Sequence, residues 1–297
     1  MRQLFTFRQP GLDLLAGLWR VRKLQRLIKT RPNLFLPAGD TVSLEPLIFG
    51  TYEEGVRKLV EHFSQQGYRD ALFDIGANIG LSTVFCGEYF EQVFCFEPNP
   101  VLFDVLRANT RTLSYKTTLF DFGLGRDDRS SILRVPHHNV GGGYVADADN
   151  TLSADELTKK DGVSQGGRND SYLSMQVQIK NGRAVLEGIL SKLRPDAKLL
   201  FKIDVEGYEK VVLIEIAKAL RPSHSAVIVF ENFSDEITPV FIRSIFPNLK
   251  SIERLSTNLE KLPSKLHKFV RALTSGRIYQ LEPEPAKLLG EVVLTIR

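Results

Sequence analysis

A chain of 297 residues, 43% apolar and 25% charged, has the balance of an ordinary globular protein and is long enough for one α/β domain with an insertion. No stretch approaches the roughly 18 uncharged residues of a spanning helix. Only two cysteines occur, Cys86 and Cys95, both in apolar segments, which speaks against a disulfide framework or a Cys-rich zinc site and fits a reducing, cytoplasmic setting. The formal net charge of +4 originates in residues 1–31, where eight Lys and Arg side chains face Asp13 alone, and the remainder carries about −3. A nucleic-acid partner, which needs a broad basic face, is therefore not expected.

Residues 1–50 read as a basic extension and 51–297 as the folded domain. The apolar residues near the start are interrupted by charge, Gly and Pro, unlike a signal peptide. From Leu12 to Ile28 the pattern is that of an amphipathic basic helix. Such a helix either packs on the domain or makes a peripheral contact with anionic lipid or a partner. In 51–66, Val56, Leu59, Val60 and Phe63 share one helical face. Ala71–Ile75 is a short apolar strand entering a Gly-rich turn, Leu81–Phe90 a helix, and Gln92–Phe96 a second buried strand. Pro100–Thr110 is a further helix and Thr117–Phe122 a third strand. This alternation predicts a doubly wound, mostly parallel sheet.

The rhythm breaks over 123–175, which is rich in Gly, Asp, Ser and Asn. An insertion between strands 3 and 4 is expected there, built of irregular hairpins and loops over the sheet edge, as a lid or a partly disordered stretch. Gly182–Leu193 returns to helix, Lys198–Ile203 is a buried strand, Lys210–Leu220 a helix and Ala226–Phe230 a strand. Arg277–Leu281 and Glu291–Ile296 read as a terminal antiparallel hairpin.

Three segments carry chemistry. Phe73-Asp74-Ile75-Gly76-Ala77-Asn78-Ile79-Gly80 stands at a strand-to-helix junction, where glycines admit a ligand to the backbone. The pattern differs from the G-x-G-x-x-G of dinucleotide folds, and adenosylmethionine, with its amino-acid end, sulfonium and ribose, suits it better than a pyrophosphate. Glu97, followed by Pro98, closes the second strand, where a carboxylate can accept two hydrogen bonds from a ribose diol. Lys202-Ile203-Asp204-Val205-Glu206-Gly207-Tyr208-Glu209 runs from a buried strand into three carboxylates. Glu231 and Asn232 close the next strand, so Asp204, Glu231 and Asn232 form a candidate Mg²⁺ site. Alternatively Asp204, with Glu206 next, orients an acceptor hydroxyl or takes its proton. His137 and His138 are alternative bases, because imidazole titrates near neutrality.

FDIGANIG, FEPNP and FKIDVEGYE, in this order, resemble the FkbM family of class I methyltransferases over about residues 50–235. The resemblance implies a Rossmann-like, seven-stranded sheet, S-adenosylmethionine as donor, and O-methylation of a sugar, glycan or related small metabolite. It assigns Asp74, Gly76, Asn78 and Gly80 to the donor's amino-acid end, Glu97 to its ribose, and Asp204 and Glu206 to the transfer site. Asp204 with Glu231-Asn232 is also similar to the metal triad of catechol-type, Mg²⁺-dependent O-methyltransferases. One departure is Ile179-Lys180-Asn181-Gly182, where such proteins usually carry an apolar-Asp pair. An NAD-linked oxidoreductase and a catalytically silent binding domain are the rival readings.

Overall fold

The structure is a computed structural model that describes residues 21, 25, 27, 29, 31, 33–37, 41–137, 139–150, 172–257 and 278–297. Helices α1 (Leu44–Phe49) and α2 (Glu54–Gln65) precede β1 (Ala71–Ile75). The chain continues through α3 (Leu81–Cys86), β2 (Gln92–Phe96), α4 (Pro100–Thr110) and β3 (Lys116–Phe120). All five residues of β1 are buried, as parallel strands covered on both faces must be. Asn99 caps α4, accepting the Val101 amide at 3.0 Å, and Pro100 opens the helix where its missing N–H costs nothing.

The insertion is more regular than its composition suggests. It forms β4 (Gly123–Gly125), β5 (Arg129–Pro136), β6 (Tyr144–Val145) and β7 (Tyr172–Asn181), a separate sheet in the order β4-β7-β5-β6. β5 and β7 are antiparallel from Arg129↔Ile179 to Pro136↔Tyr172. Alternation turns Leu133, Val135, Val177 and Ile179 inward, onto Tyr208 and Val211 of the main body. Residues 151–171 of this expected lid lie outside the described residues. β7 leads directly into α5 (Gly182–Leu190), where Asn181 accepts the Ala184 amide at 2.8 Å. The departure from the apolar-Asp pair thus serves as a helix cap.

β8 (Lys198–Ile203), α6 (Glu209–Ala219), β9 (Ser225–Asn232), α7 (Pro239–Ile245), β10 (Leu249–Thr257), β11 (Tyr279–Pro283) and β12 (Gly290–Ile296) complete the chain. Among the described residues the large sheet has eight strands, in the order β11-β10-β12-β9-β8-β1-β2-β3. β12 is antiparallel to both β9 and β10, and β11 is antiparallel to β10. The two terminal strands are antiparallel members of the sheet, but they do not pair with each other. β10 lies between them, and its polar, partly exposed sequence conceals it.

Two cores flank this Rossmann-like sheet. Phe73, Phe201, Ile228 and Phe230 pack with α5, α6 and α7 on one face, and Leu72, Val93, Leu200 and Val229 with α2, α3 and α4 on the other. The Phe73 ring stacks on Phe94 at 5.1 Å and on Phe201 at 4.5 Å, tying three adjacent strands together. Leu27 is buried in the second core. Most of the basic segment 1–31 lies outside the described residues, and among those described no helix is long and apolar enough to cross a membrane.

Candidate active site

Ligands in open parallel sheets bind beyond the strand C-termini, and a crevice opens there. Gly76, Asn78, Glu97, Pro98, Asp204 and Glu206, all singled out from the sequence, line it. The small sheet forms its outer wall with Leu133, Val140, Gly141, Gly143, Val145 and Ile179.

The first turn is held in left-handed backbone at Gly76 (φ 80°), Asn78 (φ 52°) and Gly80 (φ 83°). The need for glycine at position 76 comes from the protein itself, because a Cβ there would overlap the Asp204 carbonyl. Gly80 faces Leu106 of α4, and a Cβ added there would lie 2.6 Å from the Leu106 side chain. Ala77 is buried and donates its amide to the Phe96 carbonyl at 3.0 Å. Asp74 is fully buried beneath α3; its Oδ2 accepts from Thr83 at 2.7 Å, and its Oδ1 has no hydrogen-bond partner among the described residues. Burial raises the Asp74 carboxyl above its ordinary range, with the charge of Lys202 opposing. Asp74, Ala77 and Gly80 therefore shape the turn and do not line the crevice.

Glu97 joins that turn to the end of β2. Its carboxylate accepts the Asn78 amide at 2.8 Å through one oxygen and the Asn99 amide at 2.8 Å through the other. Burial pushes its carboxyl up to about 7, although both amides favour the charged form. The group is thus fixed at the crevice wall and short of donors, as suits a partner bringing two hydroxyls.

The transfer motif leaves β8 at Asp204, whose amide donates to the Ile75 carbonyl at 2.9 Å. Lys202 Nζ donates to Asp204 Oδ2 at 3.2 Å. Burial alone would lower the Lys202 pKa, but Asp204, Glu53 and Asp74 outweigh it and raise the pKa well above the ordinary value. Glu53, just before α2, has its carboxyl pushed up to about 7 by burial and accepts from Ser82 at 3.4 Å.

The three candidate metal ligands do not converge. Successive residues of a strand point to opposite faces, so Glu231 and Asn232 cannot both turn toward Asp204. Asn232 is 1% exposed; its amide donates to the carbonyls of Ile237 and Leu288, and its oxygen accepts from the Ser234 amide. Among the described residues no group of three or more His, Cys, Asp or Glu is arranged to hold a metal ion.

Glu206 lines the crevice with φ 50°, and its carbonyl accepts from Asn150 of the insertion at 3.0 Å. Glu209 is buried and accepts the Val205 and Gly207 amides at 3.2 and 3.0 Å, closing the loop. Tyr208 donates to Asp147 at 2.7 Å, and Arg129 donates to both Asp147 and Asp149. The wall and the motif are therefore one hydrogen-bonded unit. His137 is exposed and does not line the crevice, while His138 lies outside the described residues.

The Methyltransferase FkbM domain model matches residues 74–252, which takes in the turn, Glu97 and the transfer motif. The chain belongs to the FkbM methyltransferase family. It is 26% identical over 162 residues to the methyltransferase sdnD of Sordaria araneosa, covering 52% of this chain and 61% of that protein. It is also 26% identical over 210 residues to the hexuronic acid methyltransferase AglP of Haloferax volcanii, covering 71% and 72%. The chain thus spans less than two thirds of the Sordaria protein's length. Among solved structures it is similar to cofactor-bound Rv0187 from MTB, with a TM-score of 0.42, 14% identity and coverage of 98% and 99%.

Several residues that line the crevice or lie near it were not singled out from the sequence. Leu133 and Val145 lie in the insertion, whose Gly- and Asp-rich composition masks its short strands, and Ile179 was noted only as a departure from the family pattern. Glu53 and Tyr52 fall ahead of the matched segment, and no local pattern marks them.

Proposed function

We propose that this methyltransferase uses S-adenosylmethionine and methylates a hydroxyl of a polar, hydroxyl-rich acceptor such as a uronic acid or other sugar. The observation that carries the donor is Glu97, a buried carboxylate at the end of β2, spread between two amides at the crevice wall. Gly76 and Asn78 would take the donor's amino-acid side. Asp204, on the crevice wall at the end of β8, is the group suited to a hydroxyl proton. A bound sulfonium donor would supply an activated methyl group, and Asp204 would orient the acceptor hydroxyl and take up its proton as the oxygen is methylated. The described insertion residues Leu133, Val145 and Ile179 supply apolar surface on one side of the site. The hexuronic acid acceptor named for the Haloferax relative supports the acceptor class.

The test measures adenosylhomocysteine release with glucuronic acid, galacturonic acid, glucose and glycerol, against a primary amine and a thiol. Turnover should be confined to hydroxyl acceptors, and Asp204→Asn should lower it about 100-fold or more, the scale of a placed base. Methylation of the amine alone overturns the acceptor class, and a fully active Asp204→Asn overturns the role of Asp204.

A further inference from the structure

Among the described residues, Lys202 is a cation buried beside several carboxylates at this end of the sheet. Lys202 is the register partner of Asp74 in β1 and of Val229 in β9. Alternation places Asp204 and Glu231 on the same face, and Glu291 of β12 pairs with Glu231. Tyr52 and Glu53 approach from the start of α2, and their charges act on Lys202 along with those of Asp204 and Asp74. Lys202 is 7% exposed, whereas Glu53, Asp204, Glu231 and Glu291 are half-buried. The ammonium is therefore covered together with Asp74, while the other carboxylates of the group reach the surface.

A buried ion pair is poor value as a structural device, since apolar residues of like volume often stabilise equally well. This one has a feature that a structural pair does not need: Asp204 belongs to the Lys202 ion pair and to the crevice wall. The backbone of Asp204 is fixed as well, by the Ile75 carbonyl and by the close approach of Gly76. Anchoring at both backbone and side chain leaves the carboxylate one orientation, which is how a second group preorganises a reacting one.

We propose that Lys202 is a positioning residue of the transfer site. Its ammonium holds the Asp204 carboxylate at the crevice and brings, from within the chain, the positive charge that a divalent ion supplies in metal-dependent O-methyltransferases. The misfit of Asn232 and the pairing of Asp204 with Lys202 have one explanation in these terms. Transfer should then be indifferent to divalent cations. The inference rests on the reading of Asp204 as proton acceptor.

The test uses the full-length protein and the hydroxyl probe turned over fastest in the panel above. Lys202→Met should lower kcat by about 100-fold while acceptor KM and adenosylhomocysteine Kd move less than about 3-fold, the pattern of a group acting in the transition state. Lys202→Arg should recover about 10-fold of that loss by restoring the cation. Lys202→Met with wild-type kcat overturns the proposal. Because Lys202→Met alone leaves buried carboxylates uncompensated and can fail to fold, the change is also made on the Asp204→Asn background. There it should cost less than about 3-fold of the residual rate, and a full multiplicative loss overturns action through Asp204. Mn²⁺ titration followed by electron paramagnetic resonance gives a readout free of turnover. No site tighter than about 1 mM, the weak end of oxygen-ligand sites, is expected, and a tight site abolished by Asp204→Asn overturns the replacement of the metal. If Asp204→Asn is itself fully active, the reading of Asp204 falls; if it is inactive and Lys202→Met is not, only the role of Lys202 falls.

Discussion

The missing side chain of Gly76 faces the backbone carbonyl of Asp204, so the first turn and the transfer motif touch where any Cβ would intrude. Gly76 also adopts φ 80°, which other residues reach only with strain. Gly76→Ala should destabilise the fold by about 3 kcal/mol, combining a left-handed penalty with overlap against backbone. Urea denaturation checks it, and an unchanged midpoint would mean that the two segments are not packed as described.

Glu97 makes both stability and donor affinity depend on pH. Its folded-state carboxyl is raised by burial from 4.5 to about 7, so the folded protein holds this proton more tightly than the unfolded chain. The stability it contributes is fully present below about pH 4.5 and is lost as pH rises through about 7. Glu53, raised to about 7, and Glu291, raised to about 8, act with the same sign. The ligand-free melting temperature should therefore fall between about pH 5 and 8, less steeply in Glu97→Gln. Adenosylhomocysteine affinity should change in the opposite sense, strengthening as the carboxylate forms to receive the ribose hydroxyls. Calorimetry across pH that shows a flat wild-type curve would refute the assignment of Glu97.

Tyr208→Phe removes the donor that Asp147 accepts at 2.7 Å and a partner of Arg129. The global cost should be about 1–2 kcal/mol, because a half-buried carboxylate loses a hydrogen bond. The local effect should be larger. Amide exchange in β5 and β6 should accelerate well beyond that in β1, whereas uniform acceleration would show that the contact does not hold the wall to the motif.

Val145 is buried and lines the crevice from the small sheet. Val145→Trp should fill donor space and weaken adenosylhomocysteine binding about 10-fold or more, with a small effect on stability. Unchanged affinity would place the donor elsewhere.

The sequence was most informative where an element ends abruptly for a local reason. β1, β2, β8 and α4 begin and end at the residues read from it, because apolar runs there meet Gly, Pro or Asn. Gly76, Asn78, Glu97 and Asp204 were legible because strand ends are where such sheets bind ligands. β10 was not, since Leu249–Thr257 buries little beyond Ile252 and Ser256. The pairing of β11 with β10 instead of β12 depends on long-range register, which no local pattern encodes. Lys202 was visible in its motif but read as part of an apolar strand. The importance of Glu53 comes from burial and from residues distant in sequence, Asp74 at β1, Lys202 and Asp204 at β8 and Glu231 at β9.

The position of β12 also bears on where this protein can be cut. The family match ends at residue 252, inside β10, yet Val292, Val293 and Leu294 are wholly buried between β9 and β10. A fragment stopped at that boundary would leave the backbone of β9 open over seven register positions beside two uncovered apolar layers. Open edges of this kind recruit other chains, so such a fragment is a candidate for aggregation, and functional expression calls for keeping the last strand.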